Sequence, residues 1–246
     1  MIRIRRLPLP TAATGQLAAQ TAAIGAVREH AERVRFARER WRRGSALRKP
    51  IRETLARMAP GLERCMYCGD NQGSSVDHHE PVSRNPLRTF DWLNHLLTCS
   101  LCNSHYKGDK FPLDARGEPL LIDPSAEDPL DHMVLALSTG EYLPLSEKGR
   151  VTIEVCGLSR PVLNRGRVLA RSLLTSRLRD WGLAQRARDS RRMAEVVRDV
   201  HTQPFADVCQ SMLRQATSPG AEIVFERDPG TLKLLRRPDL RKALLI

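Results

Sequence analysis

Apolar side chains from Val27 to Arg43 recur at helical spacing. Val27, Ala31, Val34 and Trp41 can share one face, with arginines on the others. Gly44 and Ser45 interrupt this predicted helix, and Pro50 is the expected start of a second one reaching about Met58. Upstream, residues 11–26 (TAATGQLAAQTAAIGA) are rich in Ala and Thr, which fits a loose helix or a disordered connector. Between 61 and 112 the period is lost. Prolines at 81, 86 and 112 and glycines at 69, 73 and 108 mark turns there. PLLIDPSAEDPLDH then reads as an ordered loop laid on the core. Residues 132–156 alternate apolar and polar around STGE and SEKG, the pattern of short antiparallel strands. From Pro161 to about Gln215 the pattern is helical, with breaks expected near Gly182 and Pro204, and from Ala221 it is mixed. Four regions follow: a basic N-terminal helical arm (1–60), a turn-rich centre (61–125), short strands packed on it (126–160) and a C-terminal helical region (161–246).

Composition changes this picture in two ways. Apolar residues make up 41% of the 246, enough for a substantial core. No apolar run approaches the ~18 residues of a membrane span, and the opening MIRIRRLPLP lacks the apolar stretch of a secretory leader. A cytoplasmic protein without membrane insertion is expected, and its six cysteines then need an explanation other than disulfides. The net charge of +12 is unevenly spread. Residues 1–64 carry 15 basic against 5 acidic side chains, residues 65–125 carry 5 against 8, and the remainder carries 20 against 15. Basic flanks around a mildly acidic centre suit a protein that grips a polyanion and brings cations to it. A solvated arginine-rich surface is the plainer alternative, since only six of the 40 basic residues are Lys.

The cysteines fall into a pattern. Cys65-Met-Tyr-Cys68 and Cys99-Ser-Leu-Cys102 are two C-x-x-C pairs, each at the spacing that brings two thiolates to one tetrahedral zinc ion. Thirty residues separate them, more than in a simple zinc ribbon. Cys156 and Cys209 have no partner in sequence and read as small core residues.

The insert holds Asp77-His78-His79-Glu80-Pro81, then Asn94, and Asn103 directly follows the last zinc cysteine. With these residues in register, the segment 65–112 resembles the HNH (ββα-metal) nucleases, in the variant clamped by four cysteines. The resemblance implies an α+β fold: a ββα-metal HNH nuclease core stapled by a four-cysteine zinc site, flanked by N- and C-terminal helices and a small antiparallel strand insertion. It implies His78 as general base and Asp77 as ligand of a catalytic Mg²⁺ or Mn²⁺. It gives Asn94 the task of bridging backbone groups to hold the loop behind His78. Asn103 would offer a hard amide oxygen to the same ion, where many relatives carry His. His79 reads as packed, Glu80 as a surface residue and His95 as incidental. His105 is a further candidate ligand, and Lys107, Arg84 and Lys110 are candidate phosphate contacts.

RCMYCGDNQG, FDWLNHLLTCSLCNSHYKGDKFP, GEPLLIDPSAEDPLDH and GLSRPVLNRGR extend the likeness over about 64–170. Together they resemble HNH nucleases of bacterial anti-phage systems: Septu, retron-associated and type II Zorya. That implies DNA as substrate, weak sequence specificity, no small-molecule cofactor, and an ATPase or membrane complex as partner. The basic helix, with Arg38, Arg40, Arg42, Arg43 and Arg48, would lie on DNA phosphates or on an acidic partner. A non-catalytic zinc-stapled binding module and an RNA nuclease of the same chemistry are the competing expectations.

Overall fold

The computed structural model describes residues 1–245. Its elements run α1 (Thr11–Gly25), α2 (His30–Arg43), α3 (Ser45–Met58), β1 (Ser75–His78), β2 (His95–Thr98), β3 (Met133–Ala136), β4 (Glu141–Pro144), α4 (Glu147–Val155), α5 (Pro161–Arg186), α6 (Ser190–Thr202), α7 (Ala206–Gln215), α8 (Ala221–Val224), α9 (Pro229–Leu235) and α10 (Pro238–Leu244). The fold is α+β, with two small antiparallel sheets among the described residues. In the first, Ser75 pairs with Thr98 and His78 with His95. After β2 the chain passes Cys99 and winds through Leu101–Lys107 as a wide, π-type helix.

The N-terminal region packs into the core. Met1, Ile2 and Ile4 are buried in the same apolar core as Leu96, Leu97 and Leu178. Arg6 donates to the carbonyls of Trp92 (3.2 Å) and His95 (2.8 Å) and lies 4.9 Å over the Trp92 ring. Residues 11–25 are an ordered helix that buries Ala13, Leu17 and Ile24. Pro50 lies inside α3 rather than at its start. The amide it lacks would have bonded the carbonyl of Ala46, and Ala46 is exposed.

Residues 132–156 are only half strand. β3 and β4 form a hairpin, with Gly140 at φ +74° in its turn. Then Ser146 accepts from the Gly149 amide (3.1 Å) and starts α4. SEKG is therefore a helix cap, not a second turn. α5 runs through Gly182 without a break. A Cβ there would come within 3.2 Å of the Leu234 side chain, so the glycine serves packing against α9. The segment after Ala221 closes the fold with short helices that bury Leu232, Leu235, Leu240 and Leu244. Among the described residues no helix is long and apolar enough to cross a membrane.

Candidate active site and metal cluster

The sulfurs of Cys65, Cys68, Cys99 and Cys102 lie within 4.8 Å of one another, and all four residues are buried. Nitrogen donors surround them. The Cys102 amide is 3.5 Å from the Cys99 sulfur and the Asn71 amide nitrogen 3.9 Å from it. The Arg160 guanidinium lies 3.6 and 3.8 Å from the Cys102 sulfur, stacked 4.5 Å over the Tyr106 ring. Hydrogen bonds from Cys102 and Cys65 draw the Cys68 thiol down to about 6, whereas burial first, then its sulfur neighbours, push Cys65 well up. Four soft donors, a positive guanidinium and N–H···S contacts fit a structural ion such as zinc.

Next to this clamp, Asp77, His78 and Asn103 line one cleft of about 310 Å³ together with Arg38 and Trp41 of α2. His78 ends β1. Its Nε2 lies 3.0 Å from the carbonyl oxygen of Thr89. A carbonyl only accepts, so neutral His78 carries its proton on Nε2 and its Nδ1 is a lone pair. Burial lowers its pKa, against an opposing pull from the Asp77 carboxylate. Trp41 packs edge-on against the imidazole, ring centres 4.6 Å apart.

The Thr89 carbonyl belongs to a short 3₁₀ turn (Pro86–Phe90) between the strands. Asn94 holds that connection. Its Oδ1 accepts from the Glu80 amide (2.7 Å), and its Nδ2 donates to the Glu80 (3.0 Å) and Arg88 (3.1 Å) carbonyls. His95 is not incidental. Wholly buried, its Nε2 lies 2.9 Å from the same Thr89 oxygen, and its ring is 5.1 Å from that of His78.

Asp77 is tied on both oxygens, to Lys107 Nζ (Oδ1, 3.1 Å) and to the Tyr67 hydroxyl (Oδ2, 2.6 Å). Lys107 also donates to the His78 carbonyl at 2.9 Å and is 0% exposed. It points into the protein and is no phosphate contact. The wide helix carries its stem inward beneath β1. Asn103 donates to Ser75 Oγ at 3.2 Å, and among the described residues none donates to its amide oxygen.

The other sequence candidates lie outside the cleft. Arg84 pairs with Glu80 (3.3 Å), and Lys110 donates to the Tyr106 carbonyl (2.9 Å). His105 is exposed, its ring 5.0 Å from that of Tyr106. His79 is buried against Phe111. Of the α2 arginines only Arg38 reaches the cleft, paired with Asp109 at 2.9 Å. Sequence reasoning missed Tyr67, Thr89 and Arg160. Tyr67 stands inside the first C-x-x-C, the one cue available for it. Thr89 acts through its backbone, which no residue type announces. No family model, curated protein or solved structure matches this chain.

Proposed function

We propose that the chain is a metal-dependent endonuclease of the HNH kind, cutting DNA phosphodiester bonds with weak sequence specificity. One observation carries the reading. His78 lines a cleft together with Asp77 and Asn103, and its Nε2 is fixed by a carbonyl whose loop Asn94 holds, which leaves Nδ1 as the unprotonated nitrogen. Such an imidazole can take a proton from water at neutral pH. The lowered pKa keeps it neutral there. Asp77 and Asn103 would hold a hard divalent ion, Mg²⁺ or Mn²⁺. When bound, that ion supplies charge neutralisation at the phosphate. Asp77 keeps a second lone pair on each oxygen beyond its bonds to Lys107 and Tyr67. The role of effector in a bacterial anti-phage system, with an ATPase or membrane complex as partner, rests on the sequence resemblance and belongs to this proposal.

One observation favours a second reading. The Lys107 ammonium already neutralises Asp77. A zinc-stapled module that binds nucleic acid without cutting it would need no further cation at that carboxylate. Plasmid nicking decides between them, with wild type and His78→Ala each given Mg²⁺, Mn²⁺ or chelator. Loss of a general base costs ~10²–10⁴-fold in rate. Metal-dependent nicking that His78→Ala loses supports the nuclease. Equal cutting by both proteins refutes His78 as base, and inertness with every metal leaves the binding module. Transfer RNA and single-stranded substrates in the same assay separate a DNA from an RNA nuclease.

A further inference from the structure

The cleft does not end at Trp41. Trp41 and Val76 also border a second trough, of about 490 Å³. Ser45, Arg48, Lys49 and Arg52 of α3 line one side of it, and Ser74 and Ser75 the other. Glu53 is the carboxylate on this lining, 4.0 Å from Lys49, and Arg52 is 3.5 Å from Glu63. Both pairs are at least 40% exposed. Exposed pairs contribute little, so these cations exchange partners readily for a stronger anion. Arg48 lies 5.9 Å over the Trp41 ring, beside the junction of the two cavities. Arg40, Arg42 and Arg43 border neither. The cations that border the two cavities are therefore Arg38 of α2 and Arg48, Lys49 and Arg52 of α3.

We propose that this trough carries one strand of a polynucleotide leading out of the cleft, an inference that rests on the nuclease reading. Its lining is cations and hydroxyls, the groups that bind phosphate and sugar without reading bases. Trp41 offers no stacking platform, because its ring is packed against His78, Phe90 and His95. The volume lies in the range that takes a drug-sized molecule. A groove of cations and hydroxyls is the kind that tracks a single strand along its backbone.

The test uses the full chain and a labelled single-stranded DNA oligonucleotide of mixed sequence, without added divalent metal. The dissociation constant is measured across salt for wild type, for a triple variant (Arg48→Gln, Lys49→Gln, Arg52→Gln), and for a control triple on α5 (Arg165→Gln, Arg171→Gln, Arg186→Gln). Three lost phosphate contacts at ~0.7 each flatten the log–log salt slope of the trough variant by about 2. The control keeps the wild-type slope, and unchanged melting of both variants shows that they fold. A trough variant with the wild-type slope overturns the proposal. So does a control that loses as much, or a wild type that does not bind the strand. Plasmid cleavage with Mn²⁺ is read separately on the same proteins. Cleavage with an unchanged slope discards the path and keeps the nuclease. No cleavage with a flattened slope discards the nuclease and keeps the trough as a binding surface.

Discussion

Lys107 and Asp77 are a buried ion pair, and such pairs are asymmetric in their energetics. Removing one partner strands a charge in the core and costs about 3–5 kcal/mol, whereas replacing both with uncharged side chains is often neutral. Lys107→Met should therefore destabilise the protein by roughly that amount, measured by chemical denaturation. Lys107→Met with Asp77→Asn should recover most of the loss. A double variant no better than the single one would mean that Lys107 acts by packing alone. The buried ammonium joins the Asp77 carboxylate to the carbonyl of His78, so it also fixes the end of β1 from which His78 projects. The carboxylate could be picked out in the sequence because Asp-His is a recognisable pair. Its partner was legible as a residue but not in its direction, since a lysine near a helix end is usually solvated.

At the scale of elements, the two C-x-x-C segments bracket the strand pair. Met66 N bonds Leu97 O at 2.8 Å, and Cys65 N bonds Asn71 O at 2.8 Å, so the first loop is hydrogen-bonded onto β2. A structural ion held by the four cysteines would join that loop to the wide helix carrying Asn103 and Lys107. Cys68→Ser should lose the ion. Melting should fall by roughly 10 °C or more, given the several kcal/mol such ions contribute and the few degrees each is worth in a chain this long. Metal analysis and calorimetry check it together. Full metal content with unchanged melting in Cys68→Ser would remove the cluster from the fold's support. This element was readable because ligand chemistry fixes spacing. The α4 cap at Ser146 was not, because a serine before Glu-Lys-Gly serves a turn and a helix start alike. The ordering of α1 was equally hidden, since its burial comes from surfaces supplied elsewhere in the chain.

At the scale of the molecule, one apolar core runs from Met1 to Leu244, and buried polar clusters pin it. Asp207 accepts from Arg167 Nε (3.1 Å), the Tyr142 hydroxyl (2.6 Å) and the Met1 amine (3.1 Å), which joins α5, β4 and α7 at one carboxylate. His95 and His79 are buried and His78 is half-buried beside His95, and desolvation lowers the pKa of each. The unfolded chain then binds protons that the folded one does not, so stability is greatest above the ordinary value of 6.5 and falls as pH drops below it. Melting temperature should decline between about pH 7 and pH 5. His95→Phe should lessen that decline, having removed one neutral imidazole that acid must charge. An identical pH dependence in the variant would exclude His95. Nicking, if His78 is the base, should hold its rate down to pH values below 6.5 before its acid limb begins. The long helices α2 and α5 were legible in outline because the apolar period changes along the chain. The docking of the first region was not, since it depends on Arg6 meeting carbonyls about ninety residues away.

The contact between Trp41 and His78 carries a consequence for observing the site. An indole whose ring centre is 4.6 Å from an imidazole responds to the charge on that imidazole. With Trp92 and Trp181 replaced by Phe, and with His95, which stacks on Trp41 at 5.1 Å, also replaced by Phe, the remaining emission becomes an optical reporter of one histidine. The titration midpoint of its intensity would then give the protonation of His78 directly, in the intact protein and without a substrate. Anything that enters the cleft and shifts that midpoint would announce its arrival as a change in light.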